Sequence, residues 1–138
     1  MISALSLSGV AVAADALLTT QREELDGFLD DVSRERLDAR IEGALAHMNP
    51  GAHEVRLTVD GSMERFEAGD SDTLAQNVRQ ALGVFDSSKQ KLVQHSVKVD
   101  GSNATVTTRM GDAGYEQTVI YDLVRSDERW LIRSVRTL

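Results

Sequence analysis

The sequence predicts an α+β fold in which N-terminal helices pack on a mainly antiparallel sheet. Apolar residues recur at helical spacing in the first third of the chain, whereas the last third is rich in β-forming residues. Short turn signals interrupt the last third at residues 100–101, 111–114 and 126–128. Because turns of two to four residues join neighbouring antiparallel strands, this part of the chain is predicted to form a meander.

Three helices are predicted from their apolar faces and end signals. The first is amphipathic over residues 14–32, and the second runs from an N-cap at Ser33 to the break at residues 49–51. The third is predicted to have its N-cap at Asp70 or Ser71 and to end before residues 86–88. The buried faces of the second and third helices are predicted to contain Leu37, Ile41, Leu45 and Met48, and Leu74, Val78, Ala81, Leu82 and Phe85, respectively.

Six strands are predicted. A short hairpin places Val55, Leu57 and Val59 on one face and turns at residues 60–61 into a second strand over residues 63–67. Four longer strands follow, at Lys91–Val99, Ser102–Met110, Tyr115–Arg125 and Arg129–Thr137.

Residue alternation also predicts which strands are covered. In the first long strand, Val93, His95, Val97 and Val99 share one face, which predicts a half-buried strand with His95 on its inner side. In the third long strand both faces carry apolar residues, so it is predicted to be central and covered on both sides. A partner subunit could supply the second cover.

Composition narrows the function classes. A chain of 138 residues suits one domain, and the lack of cysteine excludes disulfides and thiolate chemistry. The net charge of −7 argues against a nucleic-acid partner, because phosphate binding needs a basic face. The charge is uneven: residues 1–86 carry 16 acidic and 7 basic side chains, and residues 87–138 carry 6 and 8. No cofactor is expected.

The first 13 residues are read as an apolar leader or as the start of the first helix. They end in a run of small residues typical of a signal-peptide cleavage site, but a basic segment before them is missing. A membrane contact is expected only if they are the remnant of an anchor. The compartment stays open between cytoplasm, periplasm and an anchored state.

The order helix, helix, hairpin, helix and four strands resembles the NTF2-like, or cystatin-like cone, superfamily. The most specific part is the ending Tyr121–Val135, with Trp130, Ile132 and Val135 in a Trp-x-Ile-x-x-Val pattern after a polar turn. The superfamily includes ketosteroid isomerase, scytalone dehydratase and polyketide cyclase relatives. The resemblance implies a single domain over residues 14–138, a curved sheet around a cone-shaped pocket, and a homodimer through the sheet face.

Acid–base chemistry in that superfamily directs attention to titratable side chains that could face the pocket. The candidates for catalysis are His95, Tyr121 and Asp31, and Asp122 is a further carboxylate. An isomerase-like site needs a tyrosine on the first helix, where this chain has Phe28. The residues expected to line a ligand pocket are Phe28, His95, Tyr115, Tyr121 and Trp130.

A metal site is not predicted. His47 and His53 flank the turn at residues 49–51 without metal-ligand spacing, and they are interpreted as exposed loop residues.

The function expected from the sequence is a non-catalytic module that binds a small apolar or amphipathic ligand or dimerises. The alternative is a small-molecule isomerase or dehydratase that uses His95 with a tyrosine or carboxylate.

Overall fold

The computed structural model describes residues 20–83, 90–112 and 114–138, which form three helices and a six-stranded sheet. Helix α1 covers residues 20–32 of the described chain, α2 is Leu37–Leu45 and α3 is Ser71–Leu82. Hydrophobic residues of all three helices and of one sheet face form one hydrophobic core. This arrangement confirms the predicted α+β class.

The strands are β1 (Val55–Val59), β2 (Ser62–Phe66), β3 (Lys91–Asp100), β4 (Asn103–Asp112), β5 (Tyr115–Ser126) and β6 (Arg129–Thr137). Their order across the sheet is β2-β1-β6-β5-β4-β3. All neighbouring pairs are antiparallel except β1 and β6, which are parallel. The four C-terminal strands therefore form the predicted meander, and the first hairpin extends it.

The hairpin between β1 and β2 has the turn chemistry that its sequence predicts. Asp60 and Gly61 have φ values of 50° and 81°. Two consecutive residues with positive φ make a type I′ turn, whose twist matches the strands on either side.

The predicted N-cap of the second helix is wrong. The Ser33 hydroxyl donates to the Leu29 carbonyl of α1, and the N-cap position of α2 is taken by Arg36. Serine hydroxyls that bond back by four residues stay with the helix that precedes them. In α3, Asp70 does occupy the N-cap position, but its carboxylate accepts a hydrogen bond from the Glu67 amide, 2.8 Å away.

Strand β5 lies inside the sheet, as predicted, and its alternation divides the sheet into two faces. Tyr121 and Leu123 are buried against the helices, whereas Ile120, Asp122 and Val124 lie half-buried on the opposite face. We call the first face the helix side and the second the outer face. No described helix covers the outer face, since the buried hydrophobic residues of the helices all belong to the core on the helix side.

The prediction that β3 is half-buried is wrong. Val93 and Val99 are 51% and 46% exposed, and His95 is exposed as well. The strand lies at the edge of the sheet, and a bulge between Leu92 and Gln94 displaces Val93 from the alternation. An edge strand has only one neighbour, so its side chains receive less cover than the pattern alone indicates.

Two predictions lie outside the described residues. One is the leader at residues 1–13, and the other is Phe85 as part of the buried face of α3. Within the described ranges, no helix combines the length and the apolarity needed to cross a membrane.

Candidate functional site

A cleft of about 480 Å³ lies between α1 and the turn that joins β5 to β6. Its lining includes Gly27, Phe28, Asp31, Arg34, His47 and Trp130. We call it the His47 cleft. Its size falls within the range of small-molecule sites, which is about 300–1,000 Å³.

A close approach of two helices sets the position of Asp31. Gly43 in α2 is buried, and a Cβ placed on it would collide with the backbone carbonyl of Asp31 at the end of α1. Only glycine allows the two backbones to come this near. The contact fixes the last turn of α1 and therefore directs the Asp31 side chain toward the residues that follow α2.

His47 follows α2 and joins both helices to the sheet. Its Nε2 lies 2.9 Å from Oδ2 of Asp31, and its Nδ1 lies 3.3 Å from the carbonyl oxygen of Trp130. Its own carbonyl accepts a hydrogen bond from the Ile132 amide at 2.8 Å. The histidine thus connects α1, α2 and β6 at one point.

This geometry leaves the ring without a nitrogen for a substrate. Both ring nitrogens face protein acceptors, and both contacts can be hydrogen bonds only when the ring carries two protons. Asp31 is engaged in the same way, because its Oδ1 accepts a hydrogen bond from Arg34 at 2.9 Å. A general base must reach a substrate proton, and neither ring nitrogen of His47 is free to do so here.

Aromatic contacts connect this pair to the core. The Phe28 ring meets the His47 ring edge-on at a centroid distance of 4.8 Å and the Tyr121 ring at 5.4 Å. Such edge-to-face pairs add about 0.5–1.5 kcal/mol beyond the burial of area. Phe28 and Tyr121 are 1% and 2% exposed, so they contribute to packing more than to an open surface.

Burial keeps the Tyr121 hydroxyl neutral. It raises the pKa of Tyr121 strongly, and the positive charge of Arg40 offsets only part of this effect. Burial also lowers the pKa of the Arg40 guanidinium, which donates to the carbonyls of Arg34 and Glu35 and to the Gln90 side chain. These bonds secure the segment between α1 and α2 and thereby support the His47 cleft.

The raised pKa of Tyr121 predicts a loss of stability at alkaline pH. A tyrosine in the unfolded chain ionises at about pH 10, whereas Tyr121 in the native state keeps its proton. The stabilisation is therefore complete below pH 10 and falls above it, by at most about 1.4 kcal/mol per pH unit for this one proton.

Urea unfolding between pH 9 and 11 measures this slope. We expect Tyr121→Phe to remove most of the tyrosine contribution, while Tyr115→Phe, at a residue that is 66% exposed, leaves it in place. Equal slopes in the two variants would contradict burial of the Tyr121 hydroxyl.

The structure brings together four of the residues named from the sequence. Phe28, Asp31, Tyr121 and Trp130 are connected directly or through His47. His95 and Tyr115 do not join them, because both are exposed on strands away from the cleft. Whether any of these residues contacts a ligand stays a prediction.

His47 is the residue that sequence reasoning missed. The sequence predicts an exposed loop histidine at this position, but only 20% of the His47 side chain is exposed. Its position one turn after buried Ala44 is a weak signal for burial. As for metals, the described residues contain no group of three or more potential ligands.

Trp130 lies near the start of β6 and belongs to the hydrophobic core. It is 3% exposed, and its indole Nε1 has no hydrogen-bond partner among the described residues. A buried N–H without a partner costs about 1–3 kcal/mol.

No protein-family model matches the sequence, and no curated protein matches it. Solved structures do match at the level of the fold. A candidate ketosteroid isomerase from Shewanella frigidimarina has a TM-score of 0.56 and 14% identity, with coverage of 84% of this chain and 92% of that chain.

Two further structures are similar. A protein of unknown function from Mycobacterium tuberculosis has a TM-score of 0.57 and 14% identity, and the match covers 91% of this chain and 74% of that chain. A protein of unknown function with a cystatin-like fold from Nostoc punctiforme has a TM-score of 0.54 and 11% identity, with coverage of 86% and 87%. At these identities the similarity shows the fold, which is the NTF2-like, cystatin-like cone.

Proposed function

We propose that this protein is a non-catalytic binding module with an NTF2-like fold, and that the His47 cleft holds a small amphipathic ligand. The observation that carries the proposal is the state of His47 and Asp31. They lie beside a ligand-sized cleft, yet both ring nitrogens and both carboxylate oxygens already contact polar atoms of the protein.

The lining of the cleft supports an amphipathic ligand. Gly27, Phe28 and Trp130 are the apolar residues at its wall, the latter two largely buried, whereas Asp30, Glu128 and other charged residues complete the lining. Ligand sites commonly combine an apolar interior with a few polar groups that orient the ligand.

The enzymatic alternative lacks a comparable arrangement. His95, its proposed acid or base, is exposed on the edge strand β3, and Tyr121 is buried with a raised pKa. A catalytic pair must converge on one reacting atom within hydrogen-bond distance. No such convergence of His95 with Tyr121 or Asp31 supports that function.

Binding is tested with the neutral fluorescent dye N-phenyl-1-naphthylamine. Trp130 is the single tryptophan of the chain, so energy transfer from it to the dye reports binding to the protein, and the variants locate the site. Gly27→Leu is the blocking variant, because Gly27 lines the cleft and a Cβ there meets no atom within 4 Å. We expect saturable binding to the wild type and at least about tenfold weaker binding to Gly27→Leu, since the leucine fills the site.

Asp26→Leu is the matched control. It adds a leucine to the neighbouring position of α1, which is exposed and does not line the cleft. Its affinity for the dye is expected to stay within about twofold of the wild type, because no contact in the cleft changes. Identical binding curves for both leucine variants would place the ligand elsewhere and contradict the proposal.

A further inference from the structure

A second concave surface lies on the outer face of the sheet, apart from the His47 cleft. It has a volume of about 730 Å³ and spans strands from β2 to β4. We call it the arginine groove, because its lining includes Arg56, Arg133 and Arg136. The remaining lining is mostly polar.

A β-bulge brings Arg133 into this groove. Asp122 pairs with Ser134, and the next residue of β5 pairs with Ile132, so Arg133 is the extra residue of β6. Strict alternation would place Arg133 on the helix side with Val135. The bulge instead lets Arg133 and Ser134 both line the groove, where Arg133 donates to the neutral side chain of Asn103 at 3.3 Å.

The other arginines of this region are only partly neutralised. One carboxylate, Glu54, lies 3.1 Å from Arg56 and 3.5 Å from Arg65. The second carboxylate, Asp122, is 3.8 Å from Arg136. Within the groove itself, three guanidinium groups face two carboxylates, and Arg65 at its border shares Glu54, so the lining carries an excess of one positive charge on a chain of net charge −7.

We propose that the arginine groove docks an acidic peptide segment of a partner protein. Guanidinium groups bind carboxylates through paired hydrogen bonds, and three arginines on two strands and a bulge offer several such contacts. The groove is large enough for a short peptide, whereas a single oxyanion would leave most of it unfilled.

Charge complementarity favours this occupant over three others. A second copy of the chain would bring the same positive excess against itself, which opposes a symmetric dimer through this groove. Nucleic acids and anionic membranes extend beyond the groove and would meet the acidic remainder of the protein. A short acidic peptide contacts the basic surface alone.

The proposal is tested by fluorescence anisotropy with a fluorescein-labelled hexaglutamate peptide at 20–50 mM salt. At these concentrations the Debye length is about 15–20 Å, so attraction between exposed charges is only weakly screened. We expect saturable binding that weakens as salt rises. Arg133→Gln and Arg136→Gln should each weaken it about threefold, and the double variant about tenfold, as typical of exposed ion pairs.

The controls separate docking from general attraction. Arg109 lies on the outer face but outside the groove, and it pairs with Glu116 at 3.2 Å. Arg109→Gln is therefore expected to leave the affinity for the peptide within about twofold of the wild type. Labelled hexaglutamine should not bind. The proposal is overturned if hexaglutamate does not bind, if Arg109→Gln weakens it as much as the groove variants, or if the free protein forms a dimer that excludes it. The neutral dye probes the His47 cleft, which is separate from the arginine groove. Failure of the peptide proposal therefore leaves the proposed function untouched, and the reverse also holds.

Discussion

Gly43→Ala is expected to destabilise the protein by about 2 kcal/mol. The added methyl group meets the Asp31 carbonyl, which is backbone and cannot rotate away. Overpacking lowers the free energy of unfolding by about 1–3 kcal/mol or more, and the better helix propensity of alanine offsets about 1 kcal/mol of this loss. In thermal unfolding this corresponds to a fall in Tm of about 8 °C for a chain of this size.

Gly27→Ala is the control that the chain itself provides. Gly27 also lies within a helix, but a Cβ there meets no atom within 4 Å. This variant should gain up to about 1 kcal/mol from helix propensity. If both alanine variants stabilise the protein, the close approach of α1 and α2 is contradicted.

His47→Ala is the second change with a large expected effect, a loss of about 3 kcal/mol in the free energy of unfolding. The variant removes the polar contacts of both ring nitrogens, with Asp31 and with the Trp130 carbonyl, and it removes the edge contact with Phe28. Urea unfolding measures the loss. His95→Ala, at an exposed histidine, should stay within about 0.5 kcal/mol of the wild type.

A double-mutant cycle separates the contribution of Asp31. The two side chains are 20% and 32% exposed, so solvent screens their attraction and we expect a coupling energy of about 1 kcal/mol between His47→Ala and Asp31→Ala. A coupling energy near zero would mean that the contact contributes nothing to the connection between α1 and the sheet.

Local sequence patterns predict most of this fold because they reflect local physics. The Asp60-Gly61 turn, the buried face of α3 and the central position of β5 all follow from turn chemistry and residue period. The exposure of β3 does not follow from its sequence. Alternation shows which residues share a face, but it does not show whether another element covers that face.

The site is less predictable than the fold. The sequence indicates Asp31 and Phe28 as candidates. It does not indicate the contact between His47 and Asp31, which depends on the close packing at Gly43. The arginine groove depends on a bulge in β6. The bulge places Arg133 on the outer face, whereas simple alternation would place it on the helix side. Both features arise from contacts between residues that are distant in sequence or on different strands, and no local pattern encodes them.

The central claim is that a small ligand occupies the His47 cleft, and amide chemical shifts of the labelled protein test it most directly. During titration with N-phenyl-1-naphthylamine, we predict that the largest shifts occur at Gly27, Phe28 and Trp130, which line the cleft. Largest shifts at Thr105, Asp122 and Ser134, in the arginine groove on the outer face, would contradict the claim.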